Sequence, residues 1–328
     1  MKAHRSFVRS ALAVSASLWI LFGCALVESG YIESGQVIQV MPNHAPLVAN
    51  LESSDDGSFL KIRTAFRENN PGYDIAWHAA TSELEPEDTS RVVFVQRYAS
   101  VATVEPDGHS SDIDVGDILI LRPGESVSVD VPTDFLAFTV PEPFPDELPT
   151  FIRPDWDDNI TDVVGGCATE TGAYRRILLT WLDSVGPYTY HALNAHRVRI
   201  TDSFTHYHPI DGGFDEFYLV QMVQPEARII TSMSVDLIED PGSVTAAQAA
   251  GLLAETPLRV GDLVYLPRGM AHRGVDSVLA QVISTPGFRP GAEIGLDHYL
   301  RAINERLSLN ESDALPYHED ASAEAIVK

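Results

Sequence analysis

The sequence predicts an all-β fold built from two copies of one β-domain, and three observations carry that expectation. Short β-branched and aromatic runs alternate with Gly, Pro and Asp clusters on both sides of the chain centre, the punctuation of antiparallel sandwiches and barrels. One ten-residue segment occurs twice: Val115-Gly116-Asp117-Ile118-Leu119-Ile120-Leu121-Arg122-Pro123-Gly124 is echoed 145 residues later by Val260-Gly261-Asp262-Leu263-Val264-Tyr265-Leu266-Pro267-Arg268-Gly269. Each copy is a Gly-Asp turn, an apolar strand and a Pro/Gly turn, and a repeat at that distance is about one β-domain. Between the copies lies a stretch suited to a connector, with Pro141, Pro143, Pro145, Pro149 and Pro154 followed by Gly165-Gly166.

In chain order, residues 1–23 come first. Lys2, Arg5 and Arg9 precede an uncharged, mostly apolar run from Ser10 to Val27, the arrangement of a secretory signal. Leu21-Phe22-Gly23-Cys24 resembles the lipobox of bacterial lipoproteins, which implies a lipid anchor on Cys24. A simple cleaved signal and an uncleaved anchor are the other two readings. All three place the protein outside the cytoplasm, in the cell envelope or secreted. Loss of residues 1–23 removes three cations and no acids, leaving 19 Lys and Arg against 47 Asp and Glu, a net charge of −28. With Cys24 acylated, Cys167 is a lone thiol, so no intrachain disulfide forms.

Residues 32–140 form the first β-domain, with strands expected at Arg91–Tyr98, Asp117–Leu121 and Val127–Val131. Residues 141–166 form the linker, and its Asp155-Trp156-Asp157-Asp158-Asn159 run reads as solvated chain. A calcium loop would need glycine at Ile160 and glutamate at Gly166. Residues 167–290 form the second β-domain, with strands at Arg197–Thr201, Glu216–Met222, Arg228–Asp236, Asp262–Leu266 and Leu279–Ser284. Two helices are expected, one from Val244 to Ala254 with Ser243 as N-cap, the other from Ala292 to Leu307, inside the 291–328 tail.

The 328 residues carry 22 Lys and Arg against 47 Asp and Glu, a formal charge of −25. That surface repels a phosphate backbone, so nucleic acid is excluded as the main partner. No Gly-x-Ser-x-Gly elbow or paired Cys/His motif is present, which removes the usual serine and cysteine nucleophile classes.

The chemistry-bearing residues cluster in the second half. His206 and His208 stand at i and i+2 in Thr205-His206-Tyr207-His208-Pro209, a spacing that points both imidazoles to one face of a strand. Glu216 opens the next apolar run after the Asp211-Gly212-Gly213 turn, and a hairpin there brings its carboxylate beside them. His272 follows Pro267-Arg268-Gly269 at the head of a further strand.

These spacings resemble the two motifs of the cupin superfamily over residues 188–290. His206-x-His208 followed by Glu216 matches the first motif, with seven residues in the turn rather than three or four and without the upstream glycine. Gly261, five residues, Pro267-x-Gly269, two residues and His272 match the second without a gap. The resemblance implies two jelly-roll barrels, a bicupin, and one divalent metal held by His206, His208, Glu216 and His272. The long turn leaves Asp215, or no carboxylate, as alternatives to Glu216. Three imidazoles and a carboxylate suit Fe(II), Mn(II), Ni(II) or Zn(II).

Tyr218, two residues beyond Glu216, is expected to face the same interior as barrel packing or as an acid/base group, and Gln281 to hydrogen-bond a substrate. Among His196, Arg197 and Arg199 one phase points inward, and which one is not readable. Arg268 and Arg273 are expected in solvent. The first half has no His-x-His in residues 32–140; Glu125-Ser126-Val127 follows Pro123-Gly124 where the second copy has His272, and Arg91 aligns with Glu216. It therefore resembles a cupin copy without metal, serving as packing, an edge or a homodimer surface. The superfamily includes dioxygenases, isomerases, decarboxylases, lyases and binding proteins. The resemblance implies an exported metal-dependent enzyme on a small oxygenated substrate, of dioxygenase or isomerase/lyase type. A non-catalytic lipoprotein binding a small ligand or metal is the other class.

Overall fold

The computed structural model describes residues 43–53, 56–163 and 174–328. The signal segment, Cys24, Cys167 and the Gly165-Gly166 pair lie outside the described residues. The first half runs β1 (Leu47–Asn50), α1 (Asp56–Asn69), β2 (Asp74–Leu84), β3 (Ser90–Arg97), β4 (Ser100–Glu105), β5 (His109–Ile113), β6 (Ile118–Leu121), β7 (Ser126–Val140) and β8 (Phe151–Ile152). The second supplies β9 (Arg175–Leu179), β10 (Asn194–Asp202), β11 (His206–Tyr207), β12 (Asp215–Val223) and β13 (Arg228–Ser232). After these come α2 (Val235–Ile238), α3 (Ala246–Ala249), β14 (Ala254–Pro257), β15 (Asp262–Leu266), β16 (Ala271–Thr285), β17 (Ile294–Gly295) and α4 (Asp297–Leu307).

The fold is all-β with few helices: two antiparallel, barrel-like sheets of the jelly-roll kind. One sheet is ordered β5-β4-β7-β3-β6-β8 with β2 also on β7. The other is ordered β1-β15-β12-β16-β10-β9 with β11 and β13 also on β16. The 15-residue strands β7 and β16 curl the sheets, because each serves several partners in turn. The repeat holds at the level of atoms. Gly116 and Gly261 both have positive φ, and their N–H groups donate at 3.0 Å to the carbonyls of Val95 and Val220. Asp117 accepts the Asp114 N–H at 2.8 Å, as Asp262 accepts that of Arg259 at 2.7 Å.

Side-chain alternation sorts each central strand between two cores. On β12, Tyr218 and Val220 enter the interior of the second barrel, whereas Phe217 and Leu219 enter the seam between the barrels. On β3, Val93 and Val95 point into the first barrel and Val92 and Phe94 into the seam. Phe66 of α1 is the seam's centre, edge-on to Phe138 at 5.9 Å and to Phe217 at 5.1 Å. Strands buried on both faces read as unbroken apolar runs.

Several expectations are corrected here. Leu47–Asn50, assigned by sequence to the first domain, pairs with β15 as an edge of the second sheet. Helix α1 was not expected, although Phe59, Ile62 and Phe66 stand at helical spacing. The Val244–Ala254 helix shrinks to α3, capped by Thr245 in a capping box with Gln248 rather than by Ser243. The last helix starts at Asp297 because Ile294 and Gly295 are drawn into β17, opposite His206 and Tyr207. Arg228–Asp236 ends as a strand at Ser232 and turns into α2. The Asp155–Asn159 run is largely exposed, as expected, and is also stapled: Asp155 accepts from the Tyr174 hydroxyl at 2.7 Å, from Arg176 at 2.7 Å and from Arg197 at 2.5 Å.

Burial pushes the carboxyl of Asp117, in the repeated Gly-Asp turn, from its ordinary 3.8 up to about 7. The folded pKa lies above the unfolded one, so the folded chain keeps a proton that the unfolded chain has lost. That contribution is complete below about pH 4 and is lost as pH rises to about 7. Asp117→Asn keeps an oxygen for the Asp114 N–H and removes the charge. It is expected to raise stability at pH 8 by up to about 4 kcal/mol, at about 1.4 kcal/mol per pKa unit, and to flatten the pH dependence between 4 and 7. Urea unfolding at pH 5 and 8 checks this; an unchanged difference between the two pH values counts against it.

Candidate metal centre

Two strands and the residue just beyond one of them bring the histidines together. His206 of β11 lies directly opposite His272 of β16, and His208 follows His206 at i+2. Imidazole centroids are 4.3 Å apart for His206 and His272, 5.4 Å for His206 and His208, and 5.1 Å for His208 and His272. One nitrogen from each ring lies within 4.8 Å of the other two. All three side chains are buried.

The backbone sets the tautomers. Nδ1 of His206 is 3.0 Å from the Phe204 carbonyl, Nδ1 of His208 is 3.1 Å from that of Phe214, and Nδ1 of His272 is 3.1 Å from that of Met270. A carbonyl only accepts, so each Nδ1 carries the proton and each Nε2 presents a lone pair to the shared centre. Phe204 stacks on His206 at 4.5 Å and Phe214 on His208 at 3.8 Å, which fixes the ring planes. Burial, then the neighbouring imidazoles, hold His206 and His208 well below the ordinary imidazole range, so both are neutral.

The set of ligand atoms mutually within 4.8 Å consists of the three imidazole nitrogens, and Glu216 lies beside it, with Oε1 3.4 Å from His272 Nε2. That oxygen and the three Nε2 atoms are all buried without a hydrogen-bond partner. Leaving a buried polar atom unsatisfied costs about 1–3 kcal/mol, and three such imidazole nitrogens within 4.8 Å of one another, with a carboxylate oxygen beside His272, fit a divalent cation. Asp215, the alternative carboxylate, is one residue out of phase and faces the other way. Its oxygens accept from Arg268 Nε at 2.8 Å, the Tyr265 hydroxyl at 2.6 Å and Asn70 Nδ2 at 2.6 Å.

The cross-strand register places the remaining candidates. Glu216 pairs with Ser284 and Ser284 with Asn194, so these three lie in one row on the inner face. Tyr218, Val282, His196 and Ile177 form the next row on the same face. Tyr218 therefore points inward as expected, its ring edge-on to His272 at 6.5 Å. Gln281 has the opposite phase. It donates to the Gly116 carbonyl at 2.8 Å and accepts from Gln221 at 3.1 Å, so its amide is engaged in the seam rather than offered to a ligand. Arg197 shares that outward phase and bonds Gln221, leaving His196 as the inward member of its strand. Arg268 and Arg273, expected in solvent, are paired with Asp215 and Asp202.

A cavity of about 350 Å³ opens beside Glu216 at the end of the second barrel. Its polar wall includes residues that the sequence reading left out: Arg175, Asn194, Ser284, Glu293 and Lys328. Burial, then the charge of Glu216, push the Glu293 carboxyl up to about 7. Arg175, Ile177 and Leu179 reach this wall because they alternate along β9, a period-2 pattern that was present in the sequence. Glu293 carried no such signal.

The first barrel fills the corresponding place differently. Arg91 pairs with Leu121 and Thr139 as Glu216 pairs with Leu266 and Ser284, which puts it in the register of the carboxylate. The Gly124 N–H donates to the Glu87 carbonyl as that of Gly269 donates to His208, so Glu87 stands in the place of His208. Arg91, only 2% exposed, bonds Glu87 Oε1 at 3.0 Å and the Glu125 carbonyl at 2.9 Å. An ion pair between buried Arg91 and half-exposed Glu87 thus takes the positions of Glu216 and His208 in the second copy.

No protein-family model and no curated protein matches the chain. Among solved structures it is similar to Lactobacillus farciminis oxalate decarboxylase in a formate complex, at 15% identity over 74% of this chain and 82% of that one, TM-score 0.44. It is also similar to a variant of Bacillus subtilis oxalate decarboxylase, at 14% identity over 74% of each chain, TM-score 0.42. A further structure of the Bacillus subtilis enzyme, studied for its Mn(II) centres, aligns over 79% of this chain and 78% of that one at 14% identity, TM-score 0.41.

Proposed function

We propose that the protein is an exported, mononuclear metal-dependent cupin enzyme that acts on a small oxygenated organic substrate in the cavity beside Glu216. The observation that carries this reading is the cluster of three buried, unpartnered imidazole nitrogens, with the unpartnered Glu216 oxygen beside His272 and next to a cavity. His206, His208, His272 and Glu216 would hold the ion, which when bound supplies Lewis-acid chemistry and, if it is iron, redox chemistry.

The chain's own residues supply the rest. Glu293, with its carboxyl near 7, exchanges a proton with substrate at neutral pH, the range in which general acid/base groups work best. Apolar side chains on the cavity wall keep water out, which strengthens electrostatics inside. Arg175 and Lys328 attract an anion to a protein that is otherwise strongly acidic.

The test is to load the metal-free protein with Fe(II), Mn(II), Ni(II) or Zn(II) and to follow oxygen uptake and turnover across diols, oxo acids, hydroxy acids and sugars. One metal is expected to support turnover. Glu293→Gln is expected to lower kcat at least about 100-fold with metal content unchanged, the low end of a general acid/base contribution. Ligand binding without turnover for every metal would instead identify a non-catalytic surface lipoprotein. Export and acylation at Cys24 are part of the same proposal. In a bacterial host, Cys24→Ser is expected to move the protein out of the membrane fraction and to abolish fatty-acid labelling.

A further inference from the structure

The cavity beside Glu216 has two chemically different walls. One is apolar: Ile177, Leu179, Trp181, Val185, Phe288 and Pro290. Within it the Trp181 and Phe288 rings lie 4.0 Å apart at 30°, a broad aromatic surface. The other wall is polar: Arg175 and Lys328, two of only 22 Lys and Arg in the whole chain, stand with Asn194, His196 and Ser284 and with the carboxylates of Glu216 and Glu293. Arg175 Nε, Trp181 Nε1 and His196 Nε2 are buried and have no hydrogen-bond partner among the described residues. Two of these three are obligate donors, so they call for acceptor atoms from a ligand.

The size of the cavity separates ligand classes. About 350 Å³ is in the range of pockets that enclose a molecule with a ring or branched chain. A two-carbon diacid would leave the Trp181–Phe288 wall facing empty space and would gain nothing from its burial. A neutral aromatic would leave Arg175 Nε buried without a partner, the kind of mismatch that discriminates most strongly between ligands.

We infer that this cavity takes a carboxylic acid bearing an aromatic or branched apolar group, its carboxylate held by Arg175 and its apolar part lying on Trp181 and Phe288. The inference rests on the reading of the cavity as the approach to the metal centre, and it names the substrate class of that site.

Isothermal titration of the full chain, with and without metal, tests it using 3-phenyllactate, lactate, oxalate and the neutral amide of 3-phenyllactate as probes. Phenyllactate is expected to bind at least tenfold more tightly than each of the other three. Arg175→Gln removes the preference for acid over amide. Trp181→Leu removes the preference for phenyllactate over lactate. Val185→Phe, which fills the apolar wall without touching Trp181, weakens phenyllactate and spares lactate. Oxalate or lactate binding as tightly as phenyllactate overturns the inference, as does an unchanged acid/amide ratio in folded Arg175→Gln protein. Metal content and turnover are read on the same samples. Bound metal without any aryl preference removes this inference and leaves the metal enzyme standing. Aryl preference in a protein that turns nothing over sustains the inference and removes the enzyme.

Discussion

His206→Ala is expected to weaken metal binding at least about 100-fold while the protein stays folded. Losing a group that merely orients a ligand already costs about 10–100-fold, and this substitution deletes a ligand whose Nδ1 is anchored on Phe204 and whose ring is stacked by Phe204. Stability changes in a way that identifies the cause. In metal-free protein, His206 Nε2 is a buried acceptor without a partner, so its removal takes away a penalty along with some packing. In metal-loaded wild type, binding adds about 2.7 kcal/mol when free metal is 100-fold above Kd. The variant is therefore expected to lose the metal-induced rise in Tm while its metal-free Tm shifts little. Differential scanning calorimetry with and without metal reads both quantities. An undiminished metal-induced shift in the variant would remove His206 from the centre.

Asp215→Ala is expected to be the most destabilising change near the site, by about 2–5 kcal/mol, because it takes the acceptor from two buried donors, the Tyr265 hydroxyl and Asn70 Nδ2, at about 1–3 kcal/mol each, and from the part-buried Arg268. Asp215 is fully buried and joins Arg268, Tyr265 and Asn70, fastening the start of β12 to α1 and to the turn before β16. Glu216, the next residue, points the other way and bonds nothing through Oε1. Glu216→Gln is accordingly expected to reduce metal affinity and to leave metal-free stability within about 1 kcal/mol of wild type, as expected when no existing bond is broken. Urea unfolding of the two variants separates these roles. Equal losses at both positions would mean that the carboxylates share one structural function.

The cluster of three histidines was legible in the sequence because the turns and strand spacings that aim each of them are local. His206-x-His208 on a strand, and the Gly-Asp and Pro-x-Gly turns that bracket β15, fix directions over a few residues, and the structure keeps them. What depended on pairing register was not legible. Tyr218 was expected on the inner face, and Gln281 was read as a second polar group facing a ligand. Only the pairing of Tyr218 with Val282 shows that they lie on opposite faces. The sequence hides this because β12 and β16 are apolar on both sides, one facing the barrel interior and the other the seam. The same holds for β1, whose place beside β15 is set by a contact more than 200 residues away. Glu293 escaped because it is polar in an irregular segment, where no period marks a side chain as buried.

The central claim is a mononuclear metal centre built from His206, His208, Glu216 and His272. Elemental analysis of wild-type protein purified without added metal, beside His272→Ala prepared identically, tests it most directly. The expected result is about one transition-metal ion per chain in the wild type, as a single cluster of three imidazole nitrogens with a neighbouring carboxylate would hold, and less than about a tenth of that in the variant. Equal metal content in the two proteins, or a wild type that takes up no transition metal even when it is supplied in excess, would contradict it.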